Sequence, residues 1–432
     1  MVFNNIQVVS MKVLWLSTTS GLYGKSANNS YNGGGWISSL QNVVENLPNI
    51  QLALGFLSPE ATAVRKEQRG KTTYYPIENK IKSRKLRKLF YYYRGYKAID
   101  SPNWLSNLQY IIDDFKPDII HLFGIENPLA VVVLSNAKVP IIVHLQGMLA
   151  PCNNAFFPPG FGSFSFLWPL TMREWILRNG YGFAHRAIAV RSFHELQLFK
   201  IVKFAMGRTA WDKEMLHLFA PKSSYFHVDE ILRDIFYEKA GHWTFPSNEK
   251  FHIVSTFSNT VYKGLDLVLK VANFLTTHTS LKFEWNIIGL NQDNPLVMFF
   301  EHQTRIDSSS VHVKYKGVKT AEEMVSELLS ANVYVHPSYI DNSPNSLCEA
   351  QMLGVPVIAT RVGGVPSLIE HNISGLLVPA NGLYEMTVEL LKIAENRTLA
   401  LQIGAEGTKV AKKRHDKKQI TENLLCAYNS ML

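Results

Sequence analysis

The chain has 432 residues, of which 46% are hydrophobic and 18% charged, with a net charge of +9, a composition typical of globular rather than disordered proteins. This length is long for a single hydrophobic core and predicts two domains of roughly 200 residues each. No apolar run reaches the roughly 20 residues of a membrane-spanning helix, and the three cysteines form neither a zinc pattern nor a disulfide framework. We expect a cytoplasmic protein, with residues 1–10 as an extension or a misassigned start before Met11.

The positive charge is concentrated in residues 78–97, which hold eight Lys or Arg against one Glu. Four consecutive aromatic residues, 90–93, lie in the same segment. At a membrane surface the aromatic rings would lie at the depth of the lipid headgroups and the Lys and Arg side chains would contact anionic lipid. The simpler alternative is a helix whose charged face is exposed to solvent. We therefore expect peripheral contact with an anionic membrane through this segment and no nucleic-acid partner.

The first half of the chain alternates apolar strands with helices. A strand at 13–17 leads through a glycine-rich loop to a helix at 36–44, an arrangement that suits either the approach of a phosphate or a flexible hinge. Further strands are predicted at 51–56, 72–77, 118–123, 139–145 and 185–190, with a helix at 104–115 and a final αβ unit at 207–237. The continuous apolar character of these strands predicts a parallel sheet that is covered on both faces.

Polar side chains lie at the ends of two of these strands, where ligands bind in open α/β sheets. His121 and His144 lie within apolar runs, where a histidine is more often a hydrogen-bonded core residue than a ligand. Gln146 follows the second strand and cannot titrate, which argues against a general acid or base at that position. Residues 155–205 are rich in aromatic side chains and form either a packed helical insertion or an apolar lip for a lipid-linked acceptor.

A polar segment at 236–250, with Gly and Pro, is predicted to link the two domains. The second domain begins with a strand at 251–256, and Lys263 follows at the start of the next helix. A lysine beside free helix amides forms an anion site, although such a lysine more often faces solvent. Strands at 282–288, which ends at Gly289, and 312–315 follow, with a helix at 321–329.

The most informative stretch is 333–364, which is predicted to form a strand, a loop, a helix and a second strand. Ser343 and Pro344 are a typical N-cap and first-turn proline, so the helix should begin there and end before Gly354. Asp341 lies in the loop and Glu349 in the helix, on either side of a helix N-terminus that suits a phosphate. An ordinary βαβ unit with two acidic residues is the simpler alternative.

This stretch resembles the donor-site signature of the retaining GT-B glycosyltransferases of family 4, whose pattern is Glu, seven residues, Glu. Here it stands as Asp341-x7-Glu349 within YIDNSPNSLCEA, followed by GVPVIATRVGG. The resemblance implies two doubly wound Rossmann-like domains, 1–235 and 251–415, facing a cleft, with a helix at 416–432 that crosses back to the first domain. It also implies transfer of a sugar from a nucleotide sugar, UDP- or GDP-linked, to an oligosaccharide or lipid-linked acceptor in surface-polysaccharide synthesis.

Residue roles follow from the same resemblance. Glu349 would bind the ribose hydroxyls, Asp341 the transferred sugar, and Lys263 the diphosphate. The remaining donor-binding positions would be Ser343, Pro344, Asn345, Ser346, Leu347, Gly289, Gly33, Gly34 and Gly35. The acceptor would enter near the glycine loop, Gln146 and Glu126. Arg208 and Glu230 recur at matching positions in related polysaccharide glycosyltransferases, without an assigned role.

Three positions depart from the family pattern. Asp341 replaces a Glu, Gln146 replaces a His that contacts the sugar, and Phe257 lies where many relatives carry an Arg. These departures leave open a relative that binds sugar nucleotides without catalysis, and a GT-B epimerase is a further alternative. The sequence contains no D-x-D motif, so we expect no metal requirement and no cofactor.

Overall fold

A computed structural model describes residues 10–24, 35–58, 60–78, 102–161 and 180–432 of the chain. Two sheets follow one another in sequence, each flanked by helices. The first has the order β3-β4-β2-β1-β5-β6-β7-β8 and is parallel except for the β3–β4 pair. Its strands are β1 (Met11–Ser17), β2 (Ile50–Ser58), β3 (Glu67–Arg69), β4 (Thr72–Glu78), β5 (Ile119–Phe123), β6 (Ile141–His144), β7 (Phe204–Gly207) and β8 (Ser224–His227).

The second sheet is wholly parallel and has the order β11-β10-β9-β12-β13-β14. Its strands are β9 (Phe251–Thr256), β10 (Phe283–Ile288), β11 (Val313–Tyr315), β12 (Val333–His336), β13 (Val357–Thr360) and β14 (Leu376–Val378). The strand order reverses between β9 and β12, and the equivalent reversal in the first sheet lies between β1 and β5. A crevice forms at the carboxyl ends of the strands on either side of such a reversal.

The helices of the described residues connect these strands in both sheets. They are α1 (Gly35–Val44), α2 (Pro102–Phe115), α3 (Pro128–Asn136), α4 (Leu149–Asn154), α5 (Tyr181–Phe199), α6 (Ala210–Phe219), α7 (Asp234–Glu238), α8 (Leu265–His278), α9 (Pro295–Thr304), α10 (Ala321–Leu329), α11 (Asn345–Leu353), α12 (Leu383–Glu395), α13 (Arg397–Arg414) and α14 (Lys417–Asn429). Within the described ranges, no helix is both long and apolar enough to cross a membrane.

Alternating residues of β1 show why the first sheet is apolar on both faces. Leu14 and Leu16 join one buried cluster, while Val13 and Trp15 join a second cluster on the opposite face. Because helices cover both faces, every residue of β1 from 13 to 17 is buried. The second sheet is enclosed in the same way by a third cluster, which extends over both of its faces.

The last helix, α14, packs against the first domain, as predicted. Leu424 and Tyr428 join the cluster that contains Trp15. The Tyr428 hydroxyl accepts a hydrogen bond from Trp15 Nε1 at 3.0 Å and lies 2.6 Å from His121 Nδ1. The C-terminal helix therefore connects the second domain to the core of the first.

Two sequence predictions are wrong in position. The strand predicted at 185–190 is part of helix α5, and the strand of this unit is β7, Phe204–Gly207. A short apolar run such as 187–190 fits a buried strand and a helix equally well, so the run alone could not decide between them. Helix α11 begins at Asn345, with Pro344 as its N-cap residue and no side-chain cap, because the Ser343 hydroxyl donates to Glu230 instead.

Candidate active site

A cavity of about 550 Å³ lies in the cleft between the two domains. It is bounded by residues that follow the carboxyl ends of strands in both sheets, as open α/β sheets predict. The first domain and the connecting segment contribute Gly35, Trp36, Gln146, Arg208, Leu232 and Arg233. The second domain contributes Thr256, Phe257, Ser258, Lys263, Ile288, Gly289, Lys319, Met324, His336, Ser343, Pro344, Asn345, Ser346 and Glu349.

A lysine, a histidine and an aspartate form a charged cluster on the second-domain side. Lys263 Nζ lies 2.5 Å from Asp341 Oδ2, and His336 Nε2 lies 2.9 Å from the same oxygen. Burial would raise the pKa of the Asp341 carboxyl, but the neighbouring Lys263 and His336 outweigh it and hold this pKa well below its usual range. Lys263 and His336 line the cavity, whereas Asp341 lies behind them and is not among the lining residues.

Gly264 allows Lys263 to reach this position. Its φ is +83°, and a Cβ there would lie 2.1 Å from the carbonyl oxygen of Pro337, just after β12. A residue with a side chain could therefore not let the turn at 261–263 approach β12 so closely. The glycine places the lysine beside the loop that carries Asp341.

Helix α11 carries the second predicted acid, Glu349, which pairs with Arg233. Arg233 Nε and Nη2 lie 3.0 and 2.8 Å from Glu349 Oε1. Burial raises the pKa of the Glu349 carboxyl, and Arg233 opposes this rise without cancelling it. No local sequence pattern marks Arg233, which precedes the short helix α7 by one residue and was not among the predicted site residues.

The N-terminus of α11 opens onto the cavity. Its first backbone amides have no acceptor within the helix, and no side chain caps them. The Ser346 hydroxyl contacts the hydroxyls of Thr256 at 2.7 Å and Tyr334 at 2.8 Å, which fixes the first turn against β9 and β12. The Leu347 side chain is fully buried in the core, so only its backbone could take part in the predicted site.

On the first-domain side, Gln146 lines the cavity and Gly35 borders it, while Gly33 and Gly34 lie outside the described residues. The carbonyl oxygen of Gln146 accepts hydrogen bonds from Arg208 Nη2 at 3.0 Å and Asn342 Nδ2 at 3.4 Å. The first-domain loop is therefore held by residues from both domains.

The two histidines of the neighbouring strands are core residues. His121 and His144 are fully buried, with Nε2 of one 3.2 Å from Nδ1 of the other. Burial lowers the pKa of His121 to about 3, so the ring stays neutral at physiological pH.

Glu126 does not line the cavity, and burial raises the pKa of its carboxyl to about 7. Most of segment 78–97 and the centre of the aromatic segment, 162–179, lie outside the described residues.

A buried polar network joins the domains beside the cavity. Asn342 Nδ2 donates to Asp212 Oδ1 at 2.7 Å, and the Thr209 hydroxyl donates to Asn342 Oδ1 at 2.9 Å. The Ser343 hydroxyl donates to Glu230 at 2.8 Å. These contacts fix the loop between Asp341 and α11 against the first domain.

One buried group in the described part of the chain has the side chains of a metal site, namely Glu230, Cys348 and His415. Arg208 and Arg414 lie 3.8 and 3.9 Å from Glu230, so a cation there would face two guanidinium groups. Burial also raises the pKa of the Cys348 thiol well above its usual value, and the neutral thiol is a poor ligand. These neighbours oppose metal binding at this cluster.

Comparison with known proteins shows what the second half of this chain is similar to. Residues 241–410 match the model of the family Glycosyl transferases group 1. The amylovoran biosynthesis glycosyltransferase AmsK of Erwinia amylovora is 28% identical over 156 residues, covering 34% of this chain and 37% of that protein. The capsular polysaccharide biosynthesis glycosyltransferase CapM of Staphylococcus aureus is 26% identical over 180 residues, 42% of each chain. These alignments span less than half of each relative.

Solved structures show the fold over nearly the whole chain. Sucrose-phosphate synthase from Thermosynechococcus elongatus superposes with a TM-score of 0.71 at 12% identity, covering 97% of this chain and 98% of that one. Anabaena Alr3699/HepE in complex with UDP and glucose gives a TM-score of 0.63 at 14% identity, covering 97% and 100%. The predicted GT-B architecture, with two parallel-sheet Rossmann-like domains, is confirmed.

Proposed function

We propose that this protein is a retaining glycosyltransferase that transfers a sugar from a UDP- or GDP-linked donor to an acceptor hydroxyl in bacterial surface-polysaccharide synthesis. One observation carries the proposal. Lys263, which precedes α8, and two parts of α11, its N-terminus and Glu349, line one cavity in the cleft. The Glycosyl transferases group 1 match and the polysaccharide glycosyltransferases among the relatives support it.

The chemistry of these residues suits a nucleoside diphosphate sugar. A carboxylate such as Glu349 accepts hydrogen bonds from two ribose hydroxyls, and Arg233 opposes the rise in its pKa that burial causes. The amides of Asn345 and Ser346 and the Lys263 ammonium provide a positive field for the diphosphate. Asp341 holds that ammonium at 2.5 Å, so the lysine keeps its position when the donor arrives.

In the proposed step, the bond from the anomeric carbon to the leaving phosphate oxygen breaks as the acceptor oxygen bonds to that carbon. The acceptor proton passes to the leaving phosphate oxygen, because Gln146 at the first-domain side cannot accept it. Negative charge grows on the diphosphate during this step. Fixed donors in a desolvated cleft stabilise it, and such preorganised groups typically contribute about 100- to 1000-fold each to kcat.

We propose an oligosaccharide or lipid-linked acceptor that enters from the first domain. The basic segment 78–97 belongs to the first half of the chain and suits contact with an anionic membrane surface. The aromatic residues Phe156, Phe157 and Phe161 instead pack against the core of the second domain. The names of the polysaccharide glycosyltransferases among the relatives are consistent with such an acceptor.

The test is turnover on a panel of UDP- and GDP-sugars, measured as release of free nucleotide diphosphate. We expect Lys263→Ala and Glu349→Ala to lower kcat about 100- to 1000-fold while the fold is retained. Lys392→Ala is the matched control, because Lys392 also pairs with a glutamate, Glu389 at 2.8 Å, but does not line the cavity. Turnover that survives both cavity substitutions would refute the site. No turnover with any donor would instead support a relative that binds without catalysis.

A further inference from the structure

Arg208 brings a buried cation from the first domain into the cleft. It follows β7, is 3% exposed and lines the cavity beside Gln146 and Trp36. Its Nη2 donates to the Gln146 carbonyl oxygen at 3.0 Å, and its guanidinium carbon lies 5.2 Å from the centre of the Trp36 ring. Its Nε has no hydrogen-bond partner among the described residues. A buried donor without an acceptor costs free energy, which a ligand oxygen would recover.

The other cations of the cavity lining differ from Arg208 in their partners. Lys263 holds Asp341 at 2.5 Å, and Arg233 holds Glu349 at 2.8 Å, so each already forms a close ion pair. Lys319 Nζ lies 3.7 and 3.8 Å from two glutamates of α10, Glu323 and Glu327. Its side chain is 22% exposed, so water weakens the electrostatic field of its charge. Arg208 is nearly desolvated, so its charge acts at greater strength in the cleft.

The carboxylate that pairs with the Arg208 guanidinium, Glu230, does not depend on it alone. Arg208 Nη1 lies 3.8 Å from Glu230, beyond hydrogen-bond distance. Arg414 Nη2 lies 3.9 Å from Glu230 and 2.6 Å from Asp229, and the Ser343 hydroxyl donates to Glu230 at 2.8 Å. Glu230 therefore keeps a cation and a hydrogen-bond donor even when Arg208 interacts with a ligand.

A diphosphate brings more negative charge than Lys263 can balance, since that lysine is shared with Asp341. Phe257 lines the same cavity and contributes no charge. We infer that Arg208 reaches across the cleft as the second cation for the diphosphate of the nucleotide sugar, an inference that rests on the proposed function. The planar guanidinium presents a fork of N–H donors that matches two phosphate oxygens. An arginine from the first domain would also make diphosphate binding depend on the relative position of the two domains.

The experiment compares binding of UDP with UMP, and of GDP with GMP, to the full-length chain by calorimetry. In Arg208→Gln, affinity for the diphosphate should fall about 10- to 100-fold, the usual effect of losing a hydrogen bond to a charged group. Affinity for the monophosphate should change much less. Arg414→Gln is the control, because it removes the other guanidinium beside Glu230 and Arg414 is not itself a lining residue. Arg414 Nη2 also donates to the Arg208 carbonyl oxygen, a backbone contact that Arg208→Gln leaves in place.

A second pair of variants serves as a control in case Arg208→Gln does not fold. If Arg208→Gln does not fold, the double variant R208Q/E230Q is compared with E230Q, since removing both charges leaves no unpaired carboxylate. Loss of preference for the diphosphate in the variant that lacks Arg208, and not in its control, supports the inference. An unchanged preference, or the same loss in Arg414→Gln, overturns it. Failure of the wild-type chain to bind any nucleoside diphosphate would refute the proposed function itself.

Discussion

Replacing Arg233 by methionine should leave the Glu349 carboxylate buried without a counter-charge. Two guanidinium nitrogens contact one carboxylate oxygen at 3.0 and 2.8 Å, and the Glu349 side chain is only 8% exposed. Removing one partner of a buried ion pair costs about 3–5 kcal/mol. Because the Arg233 side chain is itself 19% exposed, we expect Arg233→Met to lower the free energy of unfolding by about 2–3 kcal/mol at neutral pH.

The pH dependence of this cost has a definite sign. The folded-state pKa of Glu349 is raised above its ordinary value of 4.5 by burial, and it rises further when the opposing Arg233 is removed. The folded state then takes up a proton at higher pH than the unfolded chain does. The loss of unfolding free energy caused by Arg233→Met is therefore full above the folded-state pKa of Glu349 in the variant. It decreases as the pH falls below that pKa toward the ordinary pKa of a glutamate.

The assay is urea unfolding of wild type, R233M, E349Q and the double variant from about pH 8 to about pH 5, a range that spans the expected change. The difference between R233M and wild type should decrease as the pH is lowered. In the E349Q background the same Arg233 substitution should cost less than about 1 kcal/mol, because an amide needs no counter-charge. An equal cost in both backgrounds, with no trend in pH, would refute the reasoning.

Three further predictions concern backbone, packing and metal. Gly264→Ala should lower the free energy of unfolding by more than about 2 kcal/mol in a denaturant titration and abolish turnover, because the new Cβ would overlap the Pro337 carbonyl oxygen. Gly70 is the control: it also has a positive φ but has open space around it, so Gly70→Ala should cost only about 1 kcal/mol in the same titration. Tyr428→Phe should cost about 1–3 kcal/mol in that titration, because Trp15 Nε1 loses its buried acceptor, and an unchanged midpoint would contradict this. Turnover should be unaffected by a chelator, and a strict Mg²⁺ or Mn²⁺ requirement would refute metal independence.

The second domain could be predicted closely because its informative residues are near one another in sequence. The strand at 333–336, the glycine after α11 and the two acids all lie within one strand-helix-strand unit. Local periodicity and turn residues decide the structure of such a unit. The helix start was wrong by one residue because Ser343 bonds to Glu230, a residue 113 positions away that no local pattern could indicate.

The first-domain side of the site could not be predicted in the same way. Arg208 is preceded by a four-residue strand, and the stronger apolar run at 187–190 belongs to a helix. Arg233 is 116 positions from Glu349, so their pairing depends on how the domains meet. Periodicity shows which residues are buried, but not which buried charges face each other across a cleft.

The structure also gives a physical meaning to the shortened first acid of the signature. Asp341 Oδ2 is held by Lys263 at 2.5 Å and His336 at 2.9 Å, and Oδ1 accepts from the amide of Asn342 at 3.1 Å. Both oxygens are thus engaged within the protein, and Asp341 lies behind two residues that line the cavity. An acid one methylene shorter than Glu is well suited to orient Lys263 and His336 rather than to reach the sugar. On this reasoning Lys263 and His336, rather than Asp341, would contact the proposed donor.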